Sequence, residues 1–104
     1  MQIQINTDKT VDGNQRTSEH FSTLIADELK HYSNHITRIE AHLSDENGSK
    51  EGFMDIRCVL EARVEGMQPI AATDQADTIE KAISGALSKL KAGLDSKLGK
   101  RKEH

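Results

Sequence analysis

Residues 54–64, Met-Asp-Ile-Arg-Cys-Val-Leu-Glu-Ala-Arg-Val, decide the fold class of this chain. Every second residue from Met54 to Val64 is apolar, and four of the residues between them are charged. Side chains of a β-strand point alternately to its two faces, so the pattern predicts a strand with one buried face and one wet face. A helix, whose period is 3.6 residues, does not produce this alternation.

Three further stretches complete the predicted sheet. Residues 2–5 and 38–43 alternate between apolar and polar side chains, as expected of half-buried strands. Residues 70–72 are predicted to form a short fourth strand, and Pro69 fits at its start because proline has no N–H for a sheet ladder. The polar residues 44–52 indicate a loop.

Two amphipathic helices account for most of the remaining apolar residues. The first is predicted from about Ser18 to Ser33, with its apolar side chains at helical spacing. Residues 73–77, Thr-Asp-Gln-Ala-Asp, are typical of a helix cap followed by acids in the first turn. The second helix is therefore predicted to follow them and to end near Leu98.

The element order β-α-β-β-β-α predicts an α+β fold. Because the strands are amphipathic, we expect a four-stranded, mostly antiparallel sheet with both helices packed on one face. The predicted side chains of the wet face are Arg38, Glu40, His42, Asp55, Arg57, Glu61 and Arg63. Cross-strand charge pairing is the simplest role for this mixed set. We predict a single α+β domain at residues 1–98 and a basic flexible tail at residues 99–104.

Composition excludes several classes of protein. A chain of 104 residues has room for one domain and one core. Aromatic residues make up 3% of the sequence, too few for a stacking platform that binds single-stranded nucleic acid. The single cysteine cannot form an internal disulfide, which favours a reducing compartment. No stretch approaches the about 20 apolar residues of a membrane span, and the N-terminus lacks a signal-peptide pattern, so we expect a cytoplasmic protein without a membrane partner.

Charge is distributed unevenly along the chain, whose net charge is −3. Residues 81–104 carry seven Lys or Arg and two Asp or Glu, a net charge of +5, whereas residues 1–80 carry seven and fifteen, a net charge of −8. An acidic body with a basic end is typical of proteins that bind a polyanion. Cations near a helix C-terminus are also favoured by the helix dipole, and charge alone does not decide between these explanations.

The candidate polyanion-binding residues are the basic side chains of the second helix and the tail. They are Lys81, Lys89, Lys91, Lys97, Lys100, Arg101 and Lys102. On a helical wheel Lys81 lies opposite the apolar stripe, while Lys89 and Lys91 flank the stripe on either side. Lysines in flanking positions often only extend over the edge of a core.

Residues that could support catalysis are few. His31 and His35 are four positions apart, but no further ligand is placed near them, so solvated histidines are favoured over a metal site. Cys58 lies in the inward row of its strand, where cysteine acts as a small apolar residue rather than as a nucleophile. The sequence has no phosphate-binding glycine loop and no evident acid–base pair. We therefore expect a protein that is not an enzyme and that has no cofactor, metal or small-molecule substrate.

Four segments of the chain are similar to one protein family. They are HITRIEAHLSDEN at residues 35–47, RCVLEAR at 57–63, QPIAAT at 68–73 and DTIEKAI at 77–83. In sequence and in element order they resemble the bacterial hibernation-promoting factor / ribosome-associated inhibitor family, also called ribosomal subunit interface or sigma-54 modulation proteins, in its short form.

The resemblance implies a fold akin to double-stranded-RNA-binding domains and a role as a translation inhibitor in stationary or stressed cells. Family members occupy the decoding region of the small ribosomal subunit and cover the messenger RNA path and the tRNA sites. Their helix lysines and arginines contact rRNA phosphates, a role that carries over to Lys89 and, less directly, to Lys81 and Lys97. We expect a monomer in solution. The alternative is a non-catalytic adaptor on the same fold that binds a protein partner through its acidic body.

Overall fold

A four-stranded sheet with the strand order β1-β2-β3-β4 forms the centre of the fold. The strands are β1 (Gln2–Thr7), β2 (Ile36–Asp45), β3 (Ile56–Val64) and β4 (Ile70–Ala76). We analysed the chain as a computed structural model, which describes residues 1–7, 15–46 and 55–102, with the backbone alone for residues 15–17 and 100–102. Strand β1 runs parallel to β2, and β3 is antiparallel to both of its neighbours. The mixed, mostly antiparallel sheet predicted from the sequence is confirmed.

Two α-helices pack against this sheet. Helix α1 (Gln15–Glu28) lies between the two parallel strands in sequence, as a parallel connection requires, and it packs against β1. A short 3-10 turn (Lys30–Tyr32) follows it. Helix α2 (Ile79–Lys102) packs against β3 and β4. The order β-α-β-β-β-α and the α+β class are therefore as predicted.

The core is aliphatic and lies between the sheet and the helices. Strand β3 contributes an alternating buried row from Ile56 to Val64, as its period of two predicts. The first helix contributes a buried stripe formed by Phe21, Ile25 and, directly after its last residue, Leu29. The buried residues of α2 are Ala82, Ile83, Ala86, Leu87, Leu90, Leu94 and Leu98. Met54, also predicted to point inward, lies outside the described residues. The loop predicted at residues 44–52 was wrong at its start, because Ser44 and Asp45 pair with β3 and continue strand β2; residues 47–52 lie outside the described residues.

Residues 73–76 continue strand β4, so the helix cap predicted at residues 73–77 was wrong. Asp74 pairs with Cys58 and Gln75 with Arg57, because β3 offers a hydrogen-bonding edge as far as Ile56. This ladder outweighs the local preference of Thr and Asp for a helix cap. Helix α2 instead begins at Ile79, and Thr78 caps it: its Oγ1 accepts a hydrogen bond from the Lys81 N–H at 3.1 Å.

Both helix C-termini also differ from the prediction. The α-helical part of the first helix ends at Glu28, and the 3-10 turn occupies most of the remaining predicted length. Helix α2 continues to Lys102 rather than ending near Leu98, because Gly99 keeps a helical backbone; among the described glycines only Gly66 has a positive φ, of 76°. The predicted tail is thus helical through Lys102, and its flexibility stays a prediction.

Candidate nucleic-acid interface

Lys89 lies on the edge of α2 that faces β4, and it is bound there by the protein itself. Its Nζ donates to the Thr73 carbonyl oxygen at 3.1 Å and pairs with Asp74 Oδ1 at 3.2 Å. The hydrogen bond from Lys89 holds the pKa of Asp74 below its usual value. Gly85 makes room for this carboxylate, since a Cβ at that position would lie 1.6 Å from Asp74 Oδ2. A helix glycine and a strand carboxylate therefore fit together under the lysine.

Lys91 lies on the opposite edge of α2 and is bound to α1. Its Nζ donates to Glu28 Oε2 at 2.6 Å, and this hydrogen bond lowers the pKa of Glu28. Lys81 is paired as well, with Asp77 one helical turn earlier at 3.2 Å. The predicted flanking positions of Lys89 and Lys91 are confirmed, and each lysine joins α2 to a different neighbouring element.

Two of the described lysines form no ion pair. Among the lysine and arginine side chains that the structure describes, Lys30 and Lys97 alone form no ion pair. Both are exposed to solvent. Lys97 is one of the predicted binding residues, whereas Lys30 was not among them. The backbone of residues 100–102 continues α2, and the structure describes only the backbone of these residues.

A cleft separates the 3-10 turn from the last turns of α2. Its volume is about 320 Å³, and it is lined by His31, Tyr32, His35, Asp95, Leu98 and Gly99. The Tyr32 hydroxyl donates to Asp95 Oδ1 at 2.5 Å, and this bond raises the pKa of Tyr32 to about 12. The two histidines predicted to share a face do line one cleft. No group of three or more potential metal ligands occurs among the residues that the structure describes.

The wet face of the sheet carries a network of ion pairs, and the predicted cross-strand pairing is confirmed for Glu40 of β2 and Arg63 of β3. Glu40 lies at its centre, with Arg38 Nε at 3.3 Å, His42 Nε2 at 3.7 Å and Arg63 Nε at 3.8 Å from its carboxylate. Arg63 also pairs with Glu61. A further ion pair joins Arg57 to Glu46, and the Arg38 guanidinium donates a hydrogen bond to Gln4 Oε1. Asp55 lies one residue before β3. The cations of this face are thus already compensated by neighbouring carboxylates.

One protein family accounts for nearly the whole chain. Its sequence model, described as sigma 54 modulation protein / S30EA ribosomal protein, matches residues 4–102. The chain belongs to this family. It is therefore a ribosome-associated protein, and the resemblance noted in the sequence is confirmed. No curated protein matches the chain.

Solved structures show the same fold. A ribosomal subunit interface protein from Coxiella burnetii is 18% identical to this chain, with a TM-score of 0.68 and full coverage of both chains. The N-terminal domain of Protein Y from Thermus thermophilus is 12% identical, with a TM-score of 0.73, and the match covers 92% of this chain and 98% of that one. At these identities the likeness concerns the fold.

Within this family fold, the predicted binding residues do not form one free row. Lys81, Lys89 and Lys91 are each held by a carboxylate, and Lys97 is not. Sequence reasoning missed the partners Asp74 and Glu28, because they come from other elements. The Asp77–Lys81 pair alone had a local signal, the i,i+4 spacing.

Two further findings bear on chemistry and location. Cys58 is fully buried, and burial raises the pKa of its thiol to about 12, which confirms its inward position. In the part of the chain that the structure describes, no helix is long and apolar enough to cross a membrane.

Proposed function

We propose that this protein binds the small ribosomal subunit at the decoding region and thereby silences and protects idle ribosomes. The observation that carries the proposal is the family match over residues 4–102. The fold supports it, since the solved structure from Coxiella burnetii that shares it is a ribosomal subunit interface protein. Such a protein works in the cytoplasm, where ribosomes are.

The proposed contacts are electrostatic. Lys81, Lys89, Lys91 and Lys97 lie along α2, and Lys100, Arg101 and Lys102 follow them in its last turn. Ammonium and guanidinium groups bind phosphate oxygens without reading base sequence, so they position a protein on rRNA and release counterions as they do so. Binding of this kind weakens as the salt concentration rises.

Competition on purified small subunits tests the proposal. Subunits are loaded with a labelled short messenger RNA and a labelled initiator tRNA, and the retained label is measured as the protein is added. If the protein occupies the decoding region, both labels should be displaced once its concentration is close to the concentration of subunits. Binding without displacement of either label would place the protein elsewhere on the subunit.

A matched control uses large subunits carrying a labelled tRNA, which the protein should leave in place. If the protein binds neither subunit and instead retains a basic protein from a ribosome-free extract, the adaptor function replaces the ribosomal one. The exposed acids Glu19 and Asp27 on α1 would then be the first residues to replace.

A further inference from the structure

We infer that strand β1 is an interface for a second copy of this chain, which adds its own β1 in antiparallel orientation. The sheets of the two copies then continue as one sheet across a two-fold axis at Gln4. The partner is identified by the chemistry of the strand itself, and the inference does not depend on binding to the ribosome.

The first argument is the position of β1 in the sheet. The strand order β1-β2-β3-β4 places β1 at one edge, and no other strand in the described part of the chain pairs with its outer side. The N–H and C=O groups on the outer side of an edge strand are a template for a further strand. The edge of β1 therefore offers a second hydrogen-bonded ladder beside the one that it forms with β2.

The composition of β1 lacks the features that usually keep an edge strand from pairing. Its six residues, Gln-Ile-Gln-Ile-Asn-Thr, include no charged residue, no proline and no glycine. Natural edge strands are commonly protected by charged side chains, lysine in particular, or by proline. An uncharged six-residue segment of high β-propensity is instead the kind that pairs with a copy of itself.

The opposite edge of the sheet, at β4, is protected. Pro69 directly precedes this strand. The Lys89 ammonium binds the Thr73 carbonyl oxygen at 3.1 Å and Asp74 Oδ1 at 3.2 Å. A strand added to β4 would have to displace this lysine. Pairing through β1 alone is two-fold symmetric and closed, so the assembly stops at a dimer.

The side chains of β1 match those of a second, antiparallel β1. When Gln4 of one copy lies opposite Gln4 of the other, Gln2 lies opposite Asn6 and Ile3 lies opposite Ile5. Amides then face amides on the wet side, where Gln4 Nε2 already donates to Asn6 Oδ1 at 3.0 Å within one chain. A shift by one residue places isoleucine opposite amide, and a shift by two shortens the ladder, so the alternation selects this register.

Partly exposed isoleucines on β1 favour the same partner. Ile3 and Ile5 pair in register with Ile39 and Ala41 of β2, which are fully buried. The two isoleucines of β1 are only partly buried, although they pack against the core. A second β1 covers them with isoleucine side chains, and removing apolar surface from water stabilises association. Because β1 carries no charge, no like charges meet directly across the strands.

The interface between two six-residue strands is small, so the dimer is weak. Interfaces that bury less than about 1,000 Å² in total belong to transient complexes. We expect a dissociation constant of about 0.1–1 mM. The monomer expected from the sequence is then the state of dilute protein, and the dimer is the state of concentrated protein.

Sedimentation equilibrium from about 10 μM to about 1 mM protein tests the inference with two matched variants. Gln4→Lys places like charges opposite each other at the two-fold axis. Gln75→Lys is the control, because it makes the same change at an exposed glutamine of the other edge strand, β4. Thermal unfolding of each variant checks that it is folded.

Wild type and Gln75→Lys should change from monomer to dimer over this range with the same dissociation constant, to within about twofold, whereas Gln4→Lys should raise it about fivefold or more. A wild type that stays monomeric at every concentration overturns the inference. Equal effects of the two variants, or a dimer that folded Gln4→Lys leaves intact, also overturn it.

Cross-linking tests the register without adding charge. Gln4→Cys brings two thiols together at the axis, where opposed Cβ atoms lie about 4.5–5.5 Å apart. Cys58 does not compete, because it is fully buried. Oxidised glutathione should join copies of Gln4→Cys into a covalent dimer much faster than copies of Gln75→Cys. Equal rates for the two variants would mean that random collision forms the disulfide, and the inference would be wrong.

Discussion

The Tyr32 hydroxyl donates a hydrogen bond to Asp95 Oδ1 at 2.5 Å, and this bond joins the 3-10 turn to the C-terminal part of α2. The two residues are 63 positions apart, and both line the cleft between the 3-10 turn and α2. A single contact thus joins two elements that are distant in the sequence.

Replacing Tyr32 by phenylalanine tests this contact. The variant should be less stable by about 1 kcal/mol near neutral pH, since it loses one side-chain hydrogen bond and leaves Asp95 without its partner. Urea unfolding of the two proteins measures the difference. No loss of stability would mean that water replaces the hydroxyl without cost.

The same variant has a signature at alkaline pH. The pKa of Tyr32 is raised from 10 to about 12, so its contribution to stability is complete below pH 10 and is lost as the pH rises through 12. The thiol of Cys58, whose pKa is raised from 9 to about 12, also contributes to stability below pH 9. This contribution is lost as the pH rises above 9, equally in wild type and in Tyr32→Phe. The difference in the free energy of unfolding between wild type and Tyr32→Phe should therefore decrease above pH 10. A difference that stays constant would contradict the raised pKa of Tyr32.

Gly85 and Gly99 form a matched pair for testing the fit of α2 on β4. Gly85→Ala places a methyl group against Asp74 and should cost about 1–3 kcal/mol, because the carboxylate must leave Lys89. Gly99→Ala meets nothing within 4 Å and should stabilise the helix by about 0.5–1 kcal/mol. Chemical denaturation measures both.

An Asp74→Ala background separates the causes of the Gly85 effect. With the carboxylate gone, only the Cβ of residue 74 still lies close, at 3.2 Å from the added methyl group, so the penalty of Gly85→Ala should be much smaller. A penalty of unchanged size in that background would show that something other than Asp74 resists the methyl group.

The carboxylate of Glu28 compensates the charge of Lys91, so replacing this carboxylate by an amide should strengthen ribosome binding. Glu28→Gln is expected to raise the affinity for small subunits about two- to threefold at low salt. Asp27→Asn is the control, because it removes the same charge from an exposed neighbour that has no lysine partner among the described residues. Equal gains from the two variants would reveal a general effect of net charge.

Cys58 should be inert in the native protein. Its thiol is fully buried and its pKa is about 12, so thiolate is scarce at pH 8. Labelling by a thiol-specific reagent should be slow in buffer and fast in denaturant. Rapid labelling without denaturant would indicate that β3 opens on the time scale of the experiment.

The sheet was predictable because its signal is local. The alternation from Ile56 to Val64 appears directly in the sequence, and the apolar spacing of α2 predicts its buried face. Thr73 and Asp74 misled the prediction, because their local preference for a cap could not reveal the free edge of β3 beside them. Strand pairing between distant segments decided their conformation.

The candidate site was harder to predict than the fold. Its lysines are visible in the sequence, but the ion pairs that occupy them are not, since Glu28 lies 63 positions from Lys91 and Asp74 lies 15 from Lys89. Gly85 is a local sign of a close approach on α2, because a glycine inside a helix pattern often has a packing reason. The sequence also did not show that the Lys30 ammonium forms no ion pair with a described residue.

The central claim is that this protein binds the small ribosomal subunit through electrostatic contacts. Sedimentation with separated subunits in sucrose gradients tests it most directly, at about 50 mM and at about 200 mM monovalent salt. The account predicts that the protein migrates with small subunits at the lower salt concentration and is largely released at the higher one. Absence from the small-subunit fraction at both concentrations, or binding that does not weaken with salt, would contradict it.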